Sequence, residues 1–172
     1  PDGSESVATN IVSATPVEWI ECFISDGGSL VGLTDTIEIS VNNESLLGGL
    51  FFEIEDFPDV LVGESVLTTE RTDGWSLSIL DDNGKISIAG FGPLAGADPL
   101  QPGDGPVCRV VVRPQGDQSL TVSLTMTDVQ IQDISSPPVQ LNWTSEPGVY
   151  EVGIETQFIM LTDGSAAPGS QM

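Results

Sequence analysis

The sequence contains no histidine and only two cysteines among its 172 residues. The absence of histidine excludes Ser-His-Asp and Cys-His catalysis, because both mechanisms use an imidazole as the general base. Two cysteines without histidine also leave too few ligands for a closed zinc site. Paired-carboxylate chemistry remains available to an enzyme, and Ca²⁺, which takes oxygen ligands, remains available as a metal.

Positive charge is equally scarce. Four lysines and arginines stand against 26 acidic residues, which gives a formal net charge of −22. Phosphate backbones and anionic membrane surfaces would be repelled, so we expect no nucleic-acid partner. No apolar run approaches the roughly 18 residues that a membrane-spanning helix requires, and we expect no membrane insertion.

The chain begins at Pro1 rather than at a methionine, and we expect a processed mature form or an excised segment with an extracellular or cell-surface location. In that setting Cys22 and Cys108 could form one disulfide, although two buried free thiols would give the same sequence. Asn43 and Asn142 each begin an N-glycosylation acceptor pattern. The sequence therefore offers two possible acceptor sites and leaves the state of both cysteines open.

Strand periodicity runs through the first half of the chain. Apolar residues alternate with their neighbours over 37–41 and again over 50–55, where Glu53 and Glu55 fall on the opposite side. Asn83 and Gly84 interrupt a later run of the same kind, and this pair is typical of a tight hairpin turn. No segment has a convincing helical pattern, so an all-β fold is predicted.

The second half continues the same pattern. Residues 107–112 are apolar on both faces except at Arg109, as in a central strand. Alternation over 120–126 changes parity before Val129, which predicts a bulge or a bend at Thr127-Asp128, where the strand would turn a corner. About nine or ten short strands at this spacing predict two packed antiparallel sheets.

Six ordered segments resemble the cohesin domains of cellulosome scaffolds, over about residues 17–152. The segments are TDTIEISVNN at 34–43, GGLFFEIEDFPDVL at 48–61, VLTTERTDGW at 66–75, NGKISIAGFG at 83–92, PGDGPVCRVVV at 102–112 and PGVYEV at 147–152. The strand at 120–133, which ends in VQIQD, continues the same plan. The resemblance implies a nine-stranded jelly-roll sandwich without catalytic activity that binds a calcium-loaded dockerin through one sheet face. It divides the chain into an N-terminal extension (1–16), the sandwich (17–152), and an additional C-terminal strand with a polar tail (153–172).

The two extensions suggest a way for copies of the chain to associate. A short apolar strand in the C-terminal segment could pair with the sheet edge of a neighbouring subunit, or could add a strand to its own sheet. A weaker pattern near the N-terminus is either a second donor segment or a tail along the surface. The candidate assembly residues are Val7, Ile11, Val12, Phe158, Ile159, Met160 and Leu161.

Several acidic and aromatic residues invite a functional interpretation. Glu53 and Glu55 lie about 7 Å apart on one strand face, a spacing that suits a glycosidase pair, a shared cation or an ordinary solvated surface. Asp81 and its neighbours fit a hairpin turn better than a calcium loop. Four loop carboxylates could meet a cation across an interface: Asp56, Asp59, Asp98 and Asp104. Three tryptophans are interpreted as packing residues: Trp19, Trp75 and Trp143.

We therefore predict a non-enzymatic β-sandwich that associates with proteins. In the first form of this hypothesis, which we favour because of the extensions, the chain is a structural subunit that assembles with copies of itself into a filament or surface layer. In the second form it is a scaffold module that binds a dockerin. A carboxylate glycosidase is a remote third alternative. No cofactor is required, and Ca²⁺ at interfaces is compatible with the acidic surface.

Overall fold

The computed structural model describes residues 19–82, 84–92, 96–135 and 137–155. Within these ranges the chain forms eleven strands and one 3-10 turn, Glu70–Thr72. The strands are β1 (Trp19–Ile24), β2 (Gly27–Leu30), β3 (Asp35–Asn42), β4 (Leu47–Phe57), β5 (Leu61–Leu67), β6 (Ser76–Asp82), β7 (Lys85–Phe91), β8 (Pro106–Pro114), β9 (Leu120–Asp133), β10 (Asn142–Glu146) and β11 (Gly148–Gly153).

The strands form two sheets packed face to face. One has five strands in the order β10-β1-β3-β8-β5, and the other has six in the order β2-β11-β9-β4-β7-β6. The predicted all-β jelly-roll sandwich is confirmed, with eleven strands instead of about nine. Two pairings, β1 with β10 and β2 with β11, are parallel. The two additional strands arise because the first and the last strand regions each divide between the sheets: β1 and β10 belong to the five-stranded sheet, and β2 and β11 to the six-stranded sheet.

The core lies between the sheets and follows the predicted alternation. Ile37, Ile39 and Val41 are buried, as are Phe52 and Ile54. Burying these apolar side chains supplies the main favourable free energy of folding. The opposite side of β4 is left for solvent or for a partner.

Two predicted local features are confirmed. The chain reverses between β6 and β7, where Gly84 adopts a φ of 74°, a backbone conformation that glycine reaches without steric cost. The pairing of β4 with β9 shifts register between Glu53 and Ile54, whose partners are Asp128 and Met126. Thr127 is therefore the extra residue of a bulge, and β9 continues through it.

Cys22 and Cys108 are buried free thiols. Of the two alternatives, the fold therefore contains the thiols and not the disulfide. Both residues belong to the five-stranded sheet, where Cys22 is opposite Val41 and Cys108 is opposite Ile39. Strand β3 lies between them, which separates their backbones by two strand spacings, about 9.5 Å. A disulfide requires Cα atoms within about 7 Å.

Arg71 holds together the loops at one end of the sandwich. Its Nη1 donates to the carbonyl oxygens of Val41 (2.7 Å) and Gly105 (3.0 Å). Its Nη2 donates to Asn43 Oδ1 (2.6 Å) and to the carbonyls of Gln101 and Gly103 (both 3.1 Å). One guanidinium thus satisfies oxygens from the end of β3 and from the loop that precedes β8.

We expect Arg71→Ala to lower the free energy of unfolding by about 2 to 3 kcal/mol, because several charge-assisted hydrogen bonds are lost together. Urea denaturation measures this change. Arg109→Ala is the matched control: Arg109 forms an exposed ion pair with Glu38, so its loss should cost less than about 1 kcal/mol. Equal effects of the two substitutions would contradict the role given to Arg71.

The thiols provide a second test of the fold. Burial raises the pKa of both Cys22 and Cys108 to about 12, so neither forms the reactive thiolate at neutral pH. We expect no reaction of the native chain with a thiol-specific chromogenic disulfide at pH 8, and reaction of both thiols in denaturant. Absence of reaction in denaturant would indicate that a disulfide had formed.

Candidate protein-binding face

The outer side of the six-stranded sheet is a broad surface formed by strands β9, β4, β7 and β6. Each strand alternates buried residues, such as Phe52 and Ile88, with residues that point away from the core. We call the outward set the six-stranded face. Its members are Gly49, Phe51, Glu53, Glu55, Phe57, Ser76, Ser78, Leu80, Asp82, Lys85, Ser87, Ala89, Phe91, Ser123, Thr125, Thr127, Asp128, Gln130 and Gln132.

Cross-strand register divides this face into two halves. In the first half, Gly49 lies between Gln132 and Phe91, and the next outward residue, Phe51, lies between Gln130 and Ala89. Ser76 and Ser78 extend these rows onto β6. None of these side chains carries a charge, and we call this part the neutral half.

The second half is acidic. Glu53 is opposite Asp128 on one side and Ser87 on the other, and Glu55 is opposite Lys85. Asp82 is the β6 partner of Lys85. We call this part, which contains four carboxylates and one ammonium group, the acidic half.

Glu53 is the most constrained of these carboxylates. Lys85 Nζ lies 2.6 Å from Glu53 Oε1, and Thr127 Oγ1 donates to the same oxygen at 2.7 Å. These hydrogen bonds, that of Lys85 first, lower the pKa of the Glu53 carboxyl. A glycosidase requires one carboxyl group with a raised pKa to act as the acid, so Glu53 does not suit that role.

The outer side of the five-stranded sheet differs in chemistry. Arg109 Nε lies 2.8 Å from Glu38 Oε1, and Arg113 is paired with Glu64. Asn42 Nδ2 donates to Glu21 Oε2 at 2.9 Å. Long polar side chains on this sheet bind one another and cover its surface.

The acceptor site predicted at Asn43 is wrong for the folded chain. Asn43 is only 2% exposed, and its Nδ2 donates to the carbonyls of Ser45 (2.7 Å) and Gln101 (3.2 Å). A glycan attached to this nitrogen would have no space and would replace these hydrogen bonds. Asn142 is exposed on the edge strand β10, and glycosylation there stays a prediction.

The loop carboxylates have different environments. Asp56 is buried, and its Oδ2 accepts hydrogen bonds from the backbone N–H groups of Val60 and Leu61, both at 2.8 Å. Burial raises the pKa of the Asp56 carboxyl above its ordinary value. The predicted role of Asp56 at an interface is therefore wrong, because the carboxylate is enclosed by its own turn. Asp59, Asp98 and Asp104 are exposed.

The structure also shows the environment of each tryptophan and of the hairpin carboxylate, Asp81. Trp75 is buried and its Nε1 donates to the carbonyl of Asp98 at 2.9 Å, and Trp143 packs against the core. Trp19 is 58% exposed, so the packing interpretation is wrong for this residue, which begins its strand at the sheet surface. Asp81 Oδ2 accepts from the Gly63 amide at 2.7 Å, a structural role.

The candidate assembly residues in the N-terminal segment (Val7, Ile11 and Val12) and the C-terminal segment (158–161) lie outside the described residues. Among the residues that the structure describes, no three potential ligand side chains cluster as a metal site. The same part of the chain includes no helix long and apolar enough to cross a membrane.

Solved structures resemble this sandwich closely in architecture. A non-cellulosomal cohesin from Archaeoglobus fulgidus matches with a TM-score of 0.63 and 16% identity, covering 78% of this chain and 91% of its own. The chain has a cohesin-like fold. The OlpC cohesin of Clostridium thermocellum, solved in complex with a dockerin, matches with a TM-score of 0.64 and 11% identity over 83% of this chain and 99% of its own.

A cohesin from Clostridium acetobutylicum matches at a TM-score of 0.62 and 17% identity, covering 79% of this chain and 92% of its own. No family model and no curated protein sequence matches the chain. The cohesin-like fold is thus preserved although few residues are shared.

Sequence alternation alone indicated that Phe51, Glu53 and Glu55 point away from the core. It did not reveal that Phe91, Ala89 and Gln130 stand beside them, because strand order joins residues that are distant in the sequence. The neutral half was therefore missed. The uncharged stretch Ser87–Phe91 was the signal that could have indicated it.

Proposed function

We propose that the chain is a non-enzymatic association module that binds a calcium-loaded dockerin-type protein through the six-stranded face. The observation that carries the proposal is the neutral half of that face: an uncharged surface with one partly buried and one exposed phenylalanine, Phe51 and Phe91, in a chain of net charge −22. Phe91 is 43% exposed there, and Leu80, in the adjoining row, is 64% exposed. Complexes of similarly folded cohesins with dockerins add support.

The contrast between the two sheets favours the six-stranded face. Two ion pairs and a hydrogen bond tie down the long polar side chains of the five-stranded sheet, so a partner would have to break or cover them. Aromatic and small side chains in the neutral half lose little conformational entropy on binding. The cost of ordering the interface is therefore lower in the neutral half, which has no ion pair, than on the five-stranded sheet or in the acidic half with its Lys85–Glu53 pair.

In this proposal the partner binds the calcium, as the resemblance to cohesins implies. The acidic surface of this chain is compatible with additional Ca²⁺ at the interface. No cofactor is required for binding, since sheet packing alone forms the face.

Binding to dockerins tests the proposal directly. We expect at least one calcium-loaded dockerin from the complexes with similar folds to bind the purified chain 1:1 by isothermal titration calorimetry, and chelation of calcium to abolish binding. Ala89→Arg, which lies between Phe51 and Ser78 in the neutral half, should weaken this binding by about 30-fold or more, the effect of a central interface residue.

Thr36→Arg is the matched control, because Thr36 is exposed on the outer side of the five-stranded sheet. This variant should bind like the original chain, and melting curves should show that both variants fold. No binding by any member of the dockerin panel, or equal loss in both variants, would contradict the proposal.

Self-assembly through the terminal segments stays a prediction, because its candidate residues lie outside the described part of the chain. Negative-stain electron microscopy of the full chain, at high salt with and without millimolar Ca²⁺, distinguishes the two functions. Filaments would favour the structural-subunit hypothesis, and a chain that ends at Gly153 should then fail to polymerise if residues 158–161 are the donor. Uniform monomers would leave partner binding as the function.

A further inference from the structure

Trp19 and Asn142 stand side by side on the outer side of the five-stranded sheet. Strands β1 and β10 pair in parallel, with Trp19 opposite Asn142 and Ile20 opposite Trp143. Ile20 is buried and Trp143 packs against the core, so the alternation of each strand directs Trp19 and Asn142 away from the core. Their backbones are one strand spacing apart, about 4.8 Å.

The acceptor pattern at Asn142 is accessible in the folded chain. Asn142 and Thr144, the two residues that define the pattern, are both exposed and lie on the same outward side of β10. Trp143 between them points to the core and covers neither. The contrast with Asn43 is direct, because the nitrogen of that buried amide donates to two carbonyl groups.

Trp19 offers a flat apolar surface beside this acceptor. It is 58% exposed, whereas Trp75 is buried and Trp143 packs against the core. One face of a pyranose ring is lined by C–H groups, while its hydroxyl groups lie at the rim. Packing of that face on an indole ring removes apolar surface from water and leaves the hydroxyl groups solvated.

The surface next to this pair also suits a sugar. The next two outward pairs along the same strands, Glu21 with Thr144 and Phe23 with Glu146, line a depression of about 240 Å³. Carboxylates accept hydrogen bonds from hydroxyl groups. A neutral sugar is not repelled by a chain of net charge −22, as an anionic ligand would be.

We propose that Asn142 carries an N-linked glycan whose first sugar packs against the indole ring of Trp19. The glycan then lies on the sheet opposite the six-stranded face, and the proposal does not depend on which protein binds that face. The exposed tryptophan, which packing inside the chain does not explain, serves as a platform for the sugar.

Attachment is a group transfer from a phosphate-activated sugar donor, catalysed by a transferase of the secretory pathway. A bond forms between Asn142 Nδ2 and the anomeric carbon of the sugar. The bond from that carbon to the phosphate oxygen breaks, and the phosphate leaves with the electron pair. Nδ2 loses one of its two protons to solvent and keeps the other.

Occupancy is tested with the full chain secreted from a eukaryotic host that glycosylates Asn-X-Thr acceptors. We expect intact-mass measurement to show a glycan, and peptide mapping to locate it at Asn142. Thr144→Val removes the acceptor hydroxyl group and should abolish the added mass. Thr125→Val, at an exposed outward position of β9, is the matched control and should retain it. An unmodified Asn142 in the secreted chain would overturn the proposal.

The contact with Trp19 has its own readout. A chain whose glycan is trimmed enzymatically to its first sugar should melt about 2 to 4 °C above the unglycosylated Thr144→Val chain. Acrylamide should quench its tryptophan fluorescence less, because the sugar covers the exposed indole ring. In the Trp19→Ala background the sugar should leave the melting temperature unchanged, since the partner ring is missing.

Leu80→Ala controls for loss of an exposed apolar side chain, because Leu80 is 64% exposed on the other sheet. In this background the sugar should still raise the melting temperature. A rise of equal size with and without Trp19, together with unchanged quenching, would overturn the role of the indole ring even if Asn142 is occupied. Dockerin binding enters none of these measurements, so their failure and that of the function proposed above are distinguishable.

Discussion

The position of β4 inside the six-stranded sheet constrains both the core and the face. Because β7 and β9 pair with its two sides, the backbone of β4 is hydrogen-bonded along both edges. Only the side chains of β4, which alternate between the two faces of the sheet, are left to contact the core or a partner. Phe52 and Ile54 fill the core, so the outward residues Phe51 and Glu53 are placed by the same pairing. A shift of one residue would exchange the two sets and expose the core.

The bulge in β9 shows how this constraint shapes chemistry. Without the extra residue, one side chain of β9 would stand opposite Glu53. With it, Thr127 and Asp128 both lie beside that glutamate: Thr127 Oγ1 donates to Glu53, and Asp128 is its register partner. The bulge therefore brings a hydrogen-bond donor and an additional carboxylate to the boundary between the neutral and acidic halves.

Sequence reasoning succeeded where the controlling interactions were local. The alternation that buries Phe52 and the glycine turn before β7 are properties of neighbouring residues, and both were predicted. It failed at Asn43, where an acceptor pattern of three residues is overridden by burial and by a hydrogen bond from Nδ2 to the carbonyl of Gln101, 58 positions away. The distance between Cys22 and Cys108 depends on β3 lying between their strands, and strand order is not encoded in periodicity.

Charge distribution explains how an acidic chain can present the binding surface proposed above. Three of its four cations, Lys85, Arg109 and Arg113, form ion pairs on the sheet faces, while Arg71 binds backbone oxygens in the loops, where a lysine would satisfy fewer acceptors. The neutral half lacks carboxylates that a partner would have to desolvate. The acidic half beside it would attract a basic partner from a distance. Electrostatic attraction of a partner and desolvation of its apolar contacts would thus occur on adjacent parts of one face. The acidic half can orient the partner before apolar contacts with the neutral half form.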